Sequence, residues 1–167
     1  MNLYILRHGV AVARGTAGYE DDSERPLTPA GKRKLRRIAE AMQAMGLSFD
    51  RILASPFVRA KQTAEIVAWV FRTPGKLSFS KELAVGGSVR ALIQEIRHWE
   101  PAPQDVLLVG HEPYLSGLVS LLVAGNPGLS LTLKKGGLCK LSTPSLRYGR
   151  CAALEWLLTP KPMALMG

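Results

Sequence analysis

The sequence predicts an α/β fold: a three-layer α/β/α sandwich around a mostly parallel sheet. Three observations predict it. Short apolar runs such as "LYIL" (residues 3–6) and "DVLLV" (residues 105–109) lack the alternation of a half-wet strand, so they read as strands buried on both faces. Segments with helical apolar spacing separate those runs. No stretch reaches the roughly 18–20 apolar residues of a membrane span, so the helices are expected to cover the sheet. The chain of 167 residues suits a single domain with a full core.

The elements follow in order. Residues 2–6 form the first strand. The polar segment "ARGTAGYEDDSERP" (13–26) reads as a mobile loop. Residues 27–46 form a helix, with Thr28 as N-cap and Pro29 at the first helical position. Leu35, Ile38, Ala39, Met42 and Met45 share one face, and Gly46 ends it. Residues 49–55 give a second strand. The next helix, 55–71, takes Ser55 as N-cap and Pro56 as its first position. A short strand is expected at 77–79, then a helix over 88–99 that buries Val89, Leu92, Ile93 and Ile96. Residues 105–111 are another strand, and 113–125 an apolar helix closed by Gly125. Residues 131–160 read as strands joined by turns, the last two a hairpin near "TPSLRYG". One domain is expected over 1–159, followed by a loose tail, 160–167. There is no internal repeat and no linker.

Composition narrows the function classes. With 47% hydrophobic and 21% charged residues, the chain is not disordered as a whole. Cys139 and Cys151 are too few for a disulfide framework and read as small buried residues. Three histidines without a Cys-x-x-Cys leave little material for a structural zinc site, and no metal is expected. The N-terminus lacks a signal-type segment, so a cytoplasmic location is expected and no membrane partner. The net charge is +9, densest in "KRKLRR" (32–37). That cluster lacks the interleaved aromatics of a stacking platform, so it reads as the wet face of a helix and no nucleic-acid partner is expected.

The chemistry gathers where strands end. In open α/β sheets, ligands bind beyond the carboxyl ends of the strands. His8 and His111 both lie at such ends, whereas His98 sits on a helix beside Trp99 and reads as a surface residue. Arg7 precedes His8, and Arg59 falls in the first turn of the helix that follows Ser55. A helix N-terminus attracts anions, and an arginine there adds a planar fork for phosphate or carboxylate. Gly9, Gly110 and Ser55 are expected to border the bound group, since glycine lets a backbone approach a ligand closely.

"LRHG", "SPFVRAKQTA" and "GHEP", in that order, resemble the histidine phosphatase (phosphoglycerate mutase-like) superfamily. The short length and "ERPLTPAGKR" are most similar to its small SixA-type phosphohistidine phosphatases. The likeness spans residues 1 to about 158. The resemblance implies that His8 is the nucleophile that takes the phosphoryl group. It implies that Arg7 and Arg59 bind the phosphate oxygens and that His111 stabilises the transferring charge. It implies no metal or organic cofactor. Physics agrees: a neutral imidazole is a competent nucleophile near pH 7, and phosphoryl transfer needs positioning and positive charge.

The departure is the general acid, which larger relatives carry in an insertion. Here the corresponding region is short, and Glu82 is its only carboxylate; Asp21, Asp22, Glu24 and Glu112 are the other candidates. An alkoxide leaving group needs a proton, whereas the imidazole of a phosphohistidine leaves nearly neutral. The missing insertion therefore favours phosphohistidine on a protein, presented to an open site, over a small phosphoester. An inactive phosphoprotein-binding domain is the remaining alternative, and the complete His8, Arg7, Arg59 and His111 set argues against it. The sequence leaves the oligomeric state open.

Overall fold

The computed structural model describes residues 1–166. Six strands form one sheet: β1 (Asn2–Arg7), β2 (Arg51–Ala54), β3 (Leu77–Phe79), β4 (Asp105–Gly110), β5 (Leu138–Ser142) and β6 (Ala153–Leu158). Their order across the sheet is β3-β2-β4-β1-β5-β6. The first four in that order run parallel, and β5 and β6 run antiparallel beside β1. Five helices cover it: α1 (Pro29–Ala44), α2 (Val58–Val70), α3 (Val89–Arg97), α4 (Tyr114–Ala124) and α5 (Pro160–Met166). The expected three-layer sandwich is the observed one.

Successive strand residues point to opposite faces, and both faces are dry. Tyr4, Leu6, Ile52, Ala54, Leu107 and Val109 pack under α1, α2 and α5. Leu3, Ile5, Leu53, Val106 and Leu108 pack under α3 and α4. This double burial is why the parallel strands read as unbroken apolar runs. Among the described residues, no helix is long and apolar enough to cross a membrane.

Helix α1 begins as its sequence requires: Thr28 Oγ1 accepts the Gly31 N–H at 2.9 Å, with Pro29 at the first position. Leu35, Ile38, Ala39 and Met42 are buried, and Gly46 adopts a left-handed φ of 74° that Met45 could not take cheaply. Ser55 does not cap α2. The chain bends at Pro56 and Phe57, Phe57 is the N-cap residue, and the Ser55 hydroxyl is engaged by His111. Residues 131–133 form no strand; β5 starts only at Leu138.

Two further expectations are corrected. Residues 13–26 do not form a free loop. A 3-10 turn over Asp22–Glu24 and ion pairs from Asp22 to Arg14, Arg25 and Arg59 tie them to the domain. Residues 160–166 are not a loose tail: they fold as α5 against α1, burying Pro160 and Met163. Seven residues make a helix too short to persist alone. Burying one methionine contributes about 1.5–3 kcal/mol, so packing holds α5 in place. Residue 167 of the expected tail lies outside the described residues. Both cysteines are free, Cys139 buried in β5 and Cys151 donating its thiol to the Arg147 carbonyl.

Candidate active site

Strands β1 and β4 are neighbours with Arg7 paired to Gly110, so the residue after each strand emerges at the same place. Those residues are His8 and His111. The His8 N–H donates to the Gly110 carbonyl at 3.0 Å, and the two rings lie 5.1 Å apart, tilted by 54°. Strand β2 lies on the other side of β4, and the Ser55 N–H donates to the Val109 carbonyl at 2.9 Å. That bond delivers the first turn of α2, and with it Arg59, to the same spot.

His8 is held by its neighbour's backbone. Its Nδ1 lies 2.7 Å from the Gly9 carbonyl oxygen, which can only accept. Nδ1 therefore carries the proton, and Nε2 presents a lone pair. Arg59 Nε donates to that Nε2 at 3.3 Å, which is consistent with the assignment. Burial pushes the His8 pKa down to about 3, against the pull of the Gly9 carbonyl, and the nearby His111, Arg59 and Arg7 add to the fall. The ring is neutral at pH 7, and an imidazole in that state can attack without a base to deprotonate it. Gly9 is fixed in turn: its N–H donates to Thr63 Oγ1 at 3.1 Å, and that hydroxyl donates to the Arg59 carbonyl.

His111 is equally buried, and its pKa is lowered to about 4 by burial first and Arg59 second. Its Nε2 lies 2.8 Å from Ser55 Oγ. Oγ also accepts the Phe57 N–H and keeps a second lone pair, so it can meet Nε2 as donor or as acceptor; where it donates, the ring proton sits on Nδ1. Nδ1 is buried without a partner. Arg7 is in the same condition: Nη1 donates to the Leu133 carbonyl at 2.9 Å, while its buried Nε has no partner. Buried polar atoms without partners are rare in folded proteins, and here two of them belong to residues that line the cleft with His8.

Arg59 is 2% exposed and braced by Asp22, with Nη2 donating to Oδ2 at 2.8 Å and Nη1 to the Asp22 carbonyl. Asp22 also accepts from Arg25 and Arg14. Burial alone would raise the Asp22 pKa, but hydrogen bonds from Arg25 and Arg59 outweigh it and hold it at about 2. These groups surround a cleft of about 460 Å3 lined by Arg7, His8, Arg59 and His111 together with Arg14, Arg25, Lys135 and Glu112. A larger cleft of about 630 Å3 between α1 and α5 holds no imidazole.

The structure thus brings together Arg7, His8, Arg59 and His111. Ser55 is fully buried behind His111 and does not line the cleft. Nor do Gly9 and Gly110. A side chain at 110 would meet Leu115 Cδ2 at 3.2 Å and the Leu83 carbonyl at 3.3 Å, so packing accounts for that glycine. Glu82 is not at the cleft: its Oε2 accepts the Ser88 N–H at 2.8 Å. Asp21 and Glu24 are exposed and do not line it. Glu112 does, but both of its oxygens are bonded to Ser116. Sequence reasoning missed Arg14, Arg25, Lys135 and the bracing role of Asp22. A signal for Arg25 existed in "ERPLTP", and one for Lys135 in the "KKGG" that must turn tightly beneath the site.

Comparison with known proteins agrees with the geometry. The histidine phosphatase superfamily (branch 1) matches over residues 3–84. The chain belongs to this superfamily. Within it, the chain is similar to the phosphohistidine phosphatase SixA of Escherichia coli strain K12, with 33% identity over 75% of this chain and 76% of that protein. An uncharacterised protein of Picosynechococcus sp. is 38% identical over 99% of both chains. A solved structure of the protein histidine phosphatase SixA with tungstate superposes with a TM-score of 0.81 at 27% identity, covering 98% of this chain and 99% of that one.

Proposed function

We propose that the chain is a phosphatase that uses His8 as nucleophile and removes phosphate from phosphohistidine on a protein. The observation that carries this reading is the pair of unpartnered buried atoms, Arg7 Nε and His111 Nδ1, beside a neutral His8 whose Nε2 is unprotonated. A phosphoryl group over Nε2 would give both atoms an acceptor.

In the first step the Nε2 lone pair attacks phosphorus. The bond to the leaving group breaks, and its electron pair departs with that group. The Gly9 carbonyl holds the Nδ1 proton as positive charge develops on the ring. Arg59 Nε–H gives up the His8 Nε2 lone pair as phosphorus takes it, and Arg7 and Arg59 meet the equatorial oxygens, Arg59 with this N–H and those it has to spare after bonding Asp22. His111 Nδ1–H donates to the same group, in the tautomer in which Ser55 donates to Nε2. In the second step water attacks phosphorus, inorganic phosphate leaves, and Nε2 regains its lone pair.

Neither Glu112, the carboxylate that lines the cleft, nor Asp22, which braces Arg59 from behind it, is set to donate a proton, and this favours the phosphohistidine substrate. Asp22 is locked among arginines with a pKa of about 2, so at pH 7 it has no proton to give. An imidazole leaving group does not demand one, whereas an alkoxide does. The similarity to SixA supports the same choice. A second reading, a small-phosphoester phosphatase, rests on Glu112, which lines the cleft and could serve as acid if released from Ser116.

The test is to incubate the protein with a phosphohistidine-bearing protein and with phosphoserine, an ester with an alkoxide leaving group, beside a His8→Ala control. Fast loss from phosphohistidine, slow ester cleavage and an inactive control are expected. Efficient ester cleavage with phosphohistidine untouched would transfer the assignment to the second reading.

A further inference from the structure

We infer that Lys135 is a substrate-binding residue that receives a second anionic group, a carboxylate, lying beside the phosphoryl group of the substrate. This rests on the phosphatase reading above and narrows its substrate. Residues 133–137 are built into the site. The Gly136 N–H is shared between the Arg7 and His8 carbonyls at 3.0 and 3.2 Å, and the Arg7 N–H donates to the Gly137 carbonyl at 3.1 Å. The Leu133 carbonyl fixes the Arg7 side chain. The backbone on both sides of Lys135 is therefore registered on the two residues that open the active site.

The chain must come this close, and its glycines are shaped for it. A Cβ at Gly136 would fall 2.9 Å from Ile38 Cδ1, at a left-handed φ of 78°, and one at Gly137 would fall 2.8 Å from the Lys134 carbonyl. Of the two adjacent lysines, Lys135 lines the cleft and Lys134 does not.

Charge and burial then separate Lys135 from the groups that serve the phosphoryl. Arg14, Arg25 and Arg59 share Asp22. Among the described residues Lys135 joins no ion pair, and the one carboxylate lining the cleft, Glu112, is engaged by Ser116. His8, His111 and Arg59 are buried, whereas Lys135 is exposed. An exposed ammonium at the rim of an anion cleft, beyond the buried set that serves one phosphoryl, matches a second negative group on the same substrate. That carboxylate could be an acidic side chain flanking a phosphohistidine or part of a small phosphoester.

Two substrate pairs distinguish these sources: phosphohistidine peptides differing only in a Glu or Gln flank, and phosphoserine against phosphoethanolamine. The readout is the ratio of kcat/KM, carboxylate-bearing over carboxylate-free, in wild type, Lys135→Gln and Lys135→Arg. Lys135→Gln is expected to lower the ratio about three- to tenfold, through KM, in the pair that the protein uses. Lys135→Arg should restore it, and added salt should shrink it in the wild type. An unchanged ratio in Lys135→Gln overturns the inference even when phosphohistidine is hydrolysed. Turnover of the ester pair alone, with its ratio lowered in Lys135→Gln, upholds the subsite while removing the phosphohistidine assignment. Turnover of none of the four overturns both.

Discussion

One wall of the cleft consists of strand ends and the first turn of a helix; the other is loop. On the first wall His8, His111 and Arg59 are 6%, 2% and 2% exposed. Each is fixed by bonds to the Gly9 carbonyl, to Ser55 or to Asp22. On the second, the Arg14 side chain is 79% exposed and Lys135 is exposed, while Arg25 is buried where it pairs with Asp22 behind the cleft. The difference separates two tasks. Desolvation keeps both imidazoles neutral and strengthens every charge near the reacting phosphorus. The loop wall contributes charge that solvent screens, which suits recognition and bracing better than chemistry.

The largest effect should come from the buried wall. His8→Ala removes the proposed nucleophile, and turnover is expected to fall at least about a thousand-fold. Arg59→Ala comes next. It removes charge-assisted bonds worth about 1.5–3 kcal/mol each, so kcat/KM should fall about ten- to a hundred-fold. If an exposed substitution such as Arg14→Ala cost as much as Arg59→Ala in the same assay, the division between walls would be wrong.

A smaller loss should follow Ser55→Ala. Ser55 does not line the cleft; its hydroxyl holds His111 Nε2 and accepts the Phe57 N–H. Losing one hydrogen bond of about 0.5–1.5 kcal/mol should lower kcat about three- to tenfold and leave KM near its wild-type value. Stopped-flow measurement of both constants checks it.

The buried wall also predicts an acid sensitivity. Both histidines have pKa values held below the ordinary 6.5, at about 3 and about 4. The unfolded chain therefore binds more protons between those values and 6.5, and stability falls as pH drops through that window. Their contribution is fully present above about pH 6.5. Urea midpoints at about pH 7, 5.5 and 4.5 should decline, and less steeply in a His8→Gln/His111→Gln double variant. An equal slope in the variant would place the sensitivity elsewhere. Asp22 acts lower: its pKa of about 2 lies below its ordinary value, so its contribution is lost only as pH falls from about 4 toward 2.

The smallest effect is assigned to Glu82. Its carboxylate closes a loop onto Ser88 and is absent from the cleft, so Glu82→Gln should change kcat less than about twofold on either substrate class. A large loss on the ester alone would return it to the reaction as an acid.

Much of this was legible in the sequence, for definite reasons. Apolar runs mark strands, and a histidine directly after each run marks a strand end, so His8 and His111 could be found separately. Their adjacency could not, because β4 inserts between β1 and β2, and strand order leaves no local trace. Ser55 before Pro56 satisfied the local rule for an N-cap. A tertiary bond to His111 overrode it, and the helix starts at Val58. The 13–26 segment looked mobile because its anchors are long-range: Asp22 reaches Arg59, 37 residues away. The tail looked loose because a seven-residue helix has no stability that its own sequence can reveal; Met163 supplies it only against α1. Glu82 drew attention for want of rivals in its segment, and nothing in the sequence indicated that Ser88 would engage it.

The most direct test of His8 as nucleophile is to trap the enzyme during turnover. After rapid alkaline quench, mass spectrometry of the digested protein should locate a phosphoryl group on His8, and acid treatment should release it. Phosphorus NMR should place it on Nε2, the nitrogen that the Gly9 carbonyl leaves free. Turnover with His8 unmodified, or a phosphoryl group on Nδ1 or on His111, would contradict the assignment.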